Sequence, residues 1–451
     1  MLYTAEFGVE QVSPAGNAWL FAEFTGFGQV GVMLFLLISS YFLCTKNFNV
    51  LSFGRILLQT LFYMVCLYVV SGLLSELVFD QRFFSLPGFA NVFLILTNDN
   101  YWFIQVYLVF YLIYPFFNLI LQKINQKQHL YFIVVALMVF FVISPLGGVV
   151  YAGTNYNTII FNLFMLVIVY FVGAYIRLYG HQNLLNKKWV AVVGMVVCLG
   201  IHIIVHALMA YKPTAQMDGT LWNFRLRNNL NMFMLAVFIF LLFKNLHIKH
   251  NRVINLISSA TFGVYIIHKD KYLRHLYMGT IFQLPKYVAS YWLVPWCVVT
   301  VAVVYTVATL VDLLRKCCLE RPLFRWLQQK FPDQIQKINA FYPTAEVNVN
   351  PETQSAVGNR TFWFYVFFGI LNTSLFAIAG ALCGLSMEFA CVAVFAAVIV
   401  GHWMVLRIRA RKAENVGGGG CVNDYAWFDW AGKFAHQAAD DKSLNFFGVT
   451  N

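Results

Sequence analysis

The chain has 451 residues, of which 60% are hydrophobic, 18% aromatic and only 11% charged, with a mean hydropathy of +0.67. A soluble domain carries about 25% charged residues, so this composition excludes a soluble enzyme and describes a membrane protein. The formal net charge of +12 would suit a nucleic-acid partner if it formed one patch. It falls instead in the breaks between apolar runs, where it sets membrane orientation, and no nucleic-acid partner is expected.

In chain order, residues 1–27 contain Glu6, Glu10 and Glu23 but no Lys or Arg. They lack the basic start and apolar core of a cleavable signal peptide. Apolar runs follow at 28–44, 54–78, 101–121, 130–150, 158–178, 188–210, 228–243, 253–268 and 290–314. Most have roughly the 17 to 25 residues that cross a bilayer as a helix. Residues 315–362 are basic at first and then polar, and two further apolar runs occupy 363–383 and 387–406. The segment RIRARK then anchors the chain, VGGGGCVND forms a flexible joint, and the tail carries Trp427 and Trp430. Strands of a membrane barrel would alternate apolar and polar residues, and these runs do not.

The sequence therefore predicts an all-α, polytopic transmembrane helical bundle, with about nine spans in the main domain and a C-terminal two-helix hairpin. Its expected organisation is an extracytoplasmic segment over 1–27, a membrane domain over 28–330, a cytoplasmic linker over 331–362, the hairpin over 363–406 and a cytoplasmic tail over 407–451. Of the 31 Lys and Arg, all but Arg82, Lys212, Arg225, Arg227, Lys269, Lys271, Arg274 and Lys286 fall in alternate loops and the tail. Basic loops face the cytoplasm, so the N-terminal segment is placed outside and the tail inside a multi-pass plasma-membrane protein, bacterial in type. Placing that segment outside is ordinarily the work of a preceding span, and the charge pattern reads as though one were missing.

Nine cysteines form no CxxC pair, so neither a zinc site nor a disulfide framework is expected. Cys317 and Cys318 stand beside a membrane end, as acylation sites or as two buried thiols. His202 and His206 share a helix face, but no Glu or third ligand accompanies them as in HExxH; the reading is packed or pore-facing histidines and no metal. GxSxG, Walker and GxGxxG sequences do not occur, so a hydrolase core or nucleotide-driven transport has no support.

The remaining polar residues gather at helix mouths. Asp99, Asn100, Tyr101 and Trp102 open the third span, Arg225, Arg227, Asn228 and Asn229 the seventh, and His268 and Asp270 close the eighth. On the predicted orientation all lie on the outer side, with Glu76 and Asp80 at the outer end of the second span. Polar ends and aromatic belts are ordinary features of membrane helices. Arginine retained at an outer mouth, however, also suits binding of carboxylate, phosphate or sugar hydroxyls. Arg225, Arg227, Trp102, Asp99 and Asp270 are thus candidate substrate contacts. On the inner side Arg55 is either a topological anchor or a contact for a phosphate-bearing donor.

Several of these segments together resemble the integral-membrane acyltransferase 3 family. FGQVGVMLFLLISSYFL is similar to its G-x-x-G-V-x-x-F-x-x-I-S-G-Y/F-x-L helix, with Gly28, Gly31, Val32, Phe35, Ser39 and Tyr41 in the matching places. Ser40 stands where a glycine is usual, which is expected to loosen close packing. NDNYWFIQVYLVFYLIYPFFN resembles the family's tryptophan-containing helix. FKNLHIKHNRVINLISSATFGVYIIHKDKYLR resembles the FKNL…TFGVYLIH segment of its surface-polysaccharide branch, and LERPLFRWL its closing E-[KR]-P-[IL] sequence. The resemblance spans roughly residues 20–330.

The resemblance implies a ten-helix bundle that moves an acyl group, usually acetyl, from cytoplasmic acyl-CoA to a hydroxyl of an extracytoplasmic or lipid-linked surface polysaccharide. It implies a first helix with a basic residue and the catalytic base, a histidine. Residues 1–27 contain no His, Lys or Arg, so the expectation is that the chain begins one helix late, by a misassigned start or by truncation. A truncated homologue would be inactive. Tyr101, Arg225 or Arg227 would donate to the developing oxyanion, and Arg55 would contact acetyl-CoA. His268 would line the site or orient the acceptor, or else be a structural helix-end histidine. Membrane lipids are the remaining expected partners. FFGILNTSLFAIAGALCG, in the hairpin, has a short likeness to the opening helix of GtrA-like membrane proteins, which are linked to flipping of lipid-linked sugars. An anchoring or partner-docking hairpin is the alternative role; for the whole chain the alternative function is a transporter or flippase of lipid-linked sugar, which also needs inner and outer polar sites.

Overall fold

A computed structural model describes residues 28–77, 82–93, 101–140, 159–180, 184–211, 230–246, 251–287 and 290–344. All belong to a compact unit over Met1–Gly384; a second unit is Leu385–Asn451. The N-terminal segment and the expected hairpin and tail lie outside the described residues.

Among the described residues, each apolar run of the main domain is helical. In chain order these are α1 (Gly28–Leu43), α2 (Val50–Leu77), α3 (Leu86–Phe93), α4 (Trp102–Lys123), α5 (Gln126–Met138), α6 (Ile159–Tyr179), α7 (Lys188–Tyr211) and α8 (Leu230–Asn245). There follow α9 (Arg252–Lys269), α10 (Lys271–His275), α11 (Leu293–Arg315), α12 (Arg321–Lys330) and α13 (Pro332–Phe341). No strand occurs among the described residues. Helix starts follow local chemistry. Asn125 and Gln128 form a reciprocal capping box at α5, and the Asn251 side chain accepts from Val253 and Ile254 N–H at 2.9 and 3.2 Å to open α9. Pro322 and Pro332 occupy the first turns of α12 and α13, where a missing N–H costs nothing. Helices over Val50–Leu77, Trp102–Lys123, Asn162–Tyr179 and Leu293–Lys330 are long and apolar enough to cross a membrane, and α1, α7 and α8 are shorter apolar helices.

Two packing groups organise these helices. In the first, α6 packs against α1, α4 and α5, while α8 packs against α7 and α1. Tyr170, Tyr175, Phe110, Tyr114, Phe233 and Phe238 are fully buried there. Ser40 is also buried, and its hydroxyl donates to the Leu36 carbonyl at 2.6 Å. The close approach expected of a glycine at that position is supplied by Gly173 of α6: a Cβ there would stand 2.6 Å from Ser40 Cβ and 3.1 Å from Leu37 O. A small residue on the facing helix thus keeps the crossing tight. Several buried polar groups of this region find partners, which offsets the cost of placing them in an apolar interior. Asn118 donates to the Leu43 and Lys46 carbonyls at 3.2 and 3.0 Å and accepts from Tyr170, and Tyr114 donates to Asn47 O at 3.1 Å. Arg177 donates to the Tyr41 hydroxyl at 3.1 Å and lies 4.8 Å from that ring's centre.

The second group comprises α2, α9 and α11. Here the structure adds elements that the polar composition concealed. The basic stretch after the ninth run is helical, a π-turn over Lys316–Glu320 leading into α12, and the expected linker itself begins as α13. The arm folds back on the start of α2, where Val50 N–H donates to Asn339 at 2.8 Å and the Tyr342 ring stacks on Phe48 at 3.8 Å. The helix α3 and the turns over 271–287 were likewise expected as loop. Tyr68 holds the entry to α3 through hydrogen bonds with the Ser85 carbonyl and N–H at 2.9 and 3.1 Å.

The hydrogen bonds thus define two ends of the bundle. One gathers the α1–α2 connection, the ends of α4 and α11 and the α12–α13 arm, and carries Arg55. The other joins the last part of α2 to the end of α9 through Ser71 and Asp270, and carries His268.

Candidate functional site

Three of the motif-bearing helices converge toward the His268 end. The Phe35 ring of α1 meets Phe103 and Tyr107 of α4 at 5.5 and 5.4 Å and Phe262 of α9 at 6.3 Å. Tyr107 donates to Ser39 at 3.2 Å. Further along, Trp102 contacts Phe103 at 5.8 Å, Phe103 contacts Tyr265 at 5.4 Å, and Tyr265 contacts His268 at 5.6 Å. Edge-to-face aromatic contacts favour such a fixed ladder over a mobile cluster. Sequence spacing explains it: Phe262, Tyr265 and His268 are three residues apart and share a face of α9, as do Phe103 and Tyr107 of α4.

His268 is 9% exposed, and its Nδ1 lies 2.9 Å from the Val264 carbonyl. A carbonyl only accepts, so Nδ1 carries the hydrogen and the lone pair is at Nε2. The Tyr277 hydroxyl donates to the His268 carbonyl at 3.3 Å, fixing the backbone as well. Tyr101 is buried in the neighbouring core with Tyr63, Ile104 and Ile266. Asp270 is engaged in structure: its Oδ1 accepts from Leu273 N–H at 3.0 Å, opening α10, and from the Ser71 hydroxyl at 2.8 Å. The structure therefore brings Tyr101, Trp102, His268 and Asp270 to one end. Asp99, Arg225 and Arg227 lie outside the described residues. His202 is buried on α7, and the side chain of His206 lies outside the description. The described residues contain no group of three metal-ligating side chains.

Arg55 is exposed at the opposite end, its guanidinium 5.4 Å from the centre of the Phe324 ring. Sixteen residues of α2 separate it from Ser71, about 24 Å at the helical rise.

Between the ends lies a polar node that sequence reasoning missed. Asp312 of α11 is fully buried. Its Oδ1 accepts from Gln59 Nε2, Tyr63 OH and Arg315 Nε, each at 2.9 Å, and Lys316 Nζ lies 3.2 Å from Oδ2. Arg315 reaches on to Glu320 at 2.8 Å, the Glu of LERP. A Cβ at Gly263, the glycine of TFGVY, would collide with the Asp312 carboxylate. Two recognised motifs are thus ties to one buried carboxylate. The available signal was VDLLRK, an acid inside an apolar span with bases three and four residues on.

An all-α bundle with several membrane-length helices and polar residues divided between its ends defines a polytopic membrane protein. The sequence profile of the acyltransferase 3 family, described as an acyltransferase domain, matches residues 7–314. The chain belongs to that family and is a membrane acyltransferase. The match begins within the segment set apart over 1–27 and stops before LERP. No curated protein and no solved structure gives a significant match.

Proposed function

We propose that this acyltransferase moves an acyl group, acetyl by its motifs, from acyl-CoA at the Arg55 end to a hydroxyl of an extracytoplasmic polysaccharide or lipid-linked glycan at the His268 end. The observation that carries this reading is the convergence of α1, α4 and α9 on the aromatic ladder to His268, with an exposed cation at the other end of α2. Phosphates of the donor pair with Arg55, and the pantetheine arm carries the thioester into the bundle. There the acceptor oxygen attacks the carbonyl carbon. The new C–O bond replaces the C–S bond, CoA leaves as the thiol, and the hydroxyl proton passes to a base.

A sugar hydroxyl is a weak nucleophile, so a neutral imidazole acceptor is the group the chemistry asks for. The Nε2 lone pair of His268 orients that hydroxyl or assists its deprotonation, alongside the histidine base that the family resemblance implies. Tyr101 and Arg227 stand as donors to the oxyanion, and Trp102 and Arg225 as acceptor contacts. The node at Asp312 holds α2, α9 and α11 in register so that the two ends keep their spacing. On this reading the Arg55 end is cytoplasmic, in agreement with the basic loops.

The test is transfer of label from radioactive acetyl-CoA to surface glycan in membranes from cells expressing the gene, against cells lacking it. Label in the glycan that depends on the gene supports the proposal. Glycan export that depends on the gene without label incorporation would instead identify a flippase.

A further inference from the structure

The start of α2 and the α12–α13 arm enclose a groove of about 420 Å³ that the transfer reading does not use. That is the size of a small-ligand site, roughly 300 to 1,000 Å³. Its walls include Leu57 and Leu61 of α2, Leu323, Phe324 and Leu327 of α12, and Ile335 of α13; Gln334 is the single polar side chain lining it, and no charged one does. Gly54 lies on its floor, where a Cβ would just touch the Phe324 ring at 3.4 Å and a larger side chain would occupy the slot.

The surroundings have the opposite character. Arg55 lies over Phe324 at the groove's edge, and Arg321 and Arg325 are exposed on the neighbouring flank of α12. Asp333 is the acidic residue of the arm, against Arg321, Arg325, Lys330 and Lys337, and Glu320 is spent on Arg315. The arm begins within a few residues of the last turn of the membrane helix α11. An amphipathic helix in that position lies along the boundary between acyl chains and head groups.

An apolar slot with a cationic rim at this depth has the chemistry of one ligand class. We propose that the groove seats an acyl chain of an anionic phospholipid from the surrounding membrane, with the lipid phosphate held among Arg55, Arg321 and Arg325. The lipid then fastens the arm to α2 and sits beside Asn339 and Tyr342, the residues that close the arm on the bundle. This assignment does not rest on acyl transfer. Because Arg55 is within reach of either a lipid or a CoA phosphate, binding is measured without acyl-CoA.

The experiment titrates the full-length protein in detergent with dioleoylphosphatidylglycerol or dioleoylphosphatidylcholine and reads bound lipid by native mass spectrometry. Wild type is expected to retain one phosphatidylglycerol about tenfold more tightly than phosphatidylcholine. Gly54→Trp, which fills the slot, should weaken both lipids by about tenfold or more. Arg321→Glu with Arg325→Glu, at exposed positions, should abolish the preference while sparing the weaker binding, and unchanged melting temperatures check the fold of each variant. Equal retention of the two lipids by wild type overturns the proposal, as does phosphatidylglycerol binding that both variants leave intact. Selective displacement by palmitoyl-CoA, at concentrations where phosphatidylglycerol does not compete, assigns the slot to the donor and also overturns it.

Discussion

The two packing groups hold together by different physics. Around α6 the contacts are rings, aliphatic side chains and a crossing at Gly173 and Ser40, with polar side chains satisfying backbone carbonyls locally. Among α2, α9 and α11 one carboxylate organises three helices through Gln59, Tyr63, Arg315 and Lys316. Packing of the first kind tolerates small changes because the loss is shared over many weak contacts. A buried charge network does not, because removing one member strands the others. The residues proposed for chemistry use both. His268 and Tyr265 stand on α9, whose middle is fixed by Asp312, while Phe103 and Phe35 reach them from the apolar group.

The sharpest way to break this contrast is Asp312→Ala. It leaves the Arg315 guanidinium buried without its nearest carboxylate, and a loss of about 3 to 5 kcal/mol is expected, read as a fall in melting temperature or in accumulation in the membrane. Replacing both Asp312 and Arg315 with leucine should recover part of that loss, since it removes the buried charge pair but leaves Gln59, Tyr63 and Lys316 without their acceptor. If the double variant is no better than Asp312→Ala, the node is more than a charge pair.

Next in size, His268→Gln is expected to lower transfer of labelled acetyl by about 10²-fold or more while leaving the melting temperature nearly unchanged; full transfer would make the histidine a helix-end residue. Gly173→Val tests the apolar group. Overpacking against Ser40 should cost about 1 to 3 kcal/mol, and Ser40→Gly in the same chain should recover part of it. The smallest effect belongs to Ser71→Ala. It removes one hydrogen bond to Asp270 and should cost about 1 kcal/mol, seen as faster hydrogen exchange at Leu273 and its neighbours without global unfolding.

The helical spans were legible because nothing but a helix satisfies the backbone of a long apolar run in lipid. The run predicted at 101–121 is α4, and that at 253–268 is α9, to within two residues at each end. The arm was illegible for the complementary reason. Arg321, Arg325 and the glutamines dominate its composition, and its apolar face before the next proline is short, Leu323, Phe324, Leu327 and Phe331. Ser40 was legible as a departure from a pattern but not as a compensated one, because Gly173 is distant in sequence. Of the site, the convergence of Trp102, Tyr101 and His268 followed from reading all three at one side of the membrane. Asp312 did not stand out, since a single acid near a helix end also reads as an ordinary terminus.

The socket at Gly263 has a consequence for biogenesis. On α11 Asp312 and Arg315 pair with each other at 2.9 Å, and lipid offers them nothing further; their remaining partners are Gln59 and Tyr63 on α2, the cleft at Gly263 on α9, and Glu320 just beyond. Until α2 and α9 are side by side, those charges are best left hydrated at the membrane edge. Docking of α11 is therefore expected to complete only once both helices are in place, which makes it a check on α2 and α9 together.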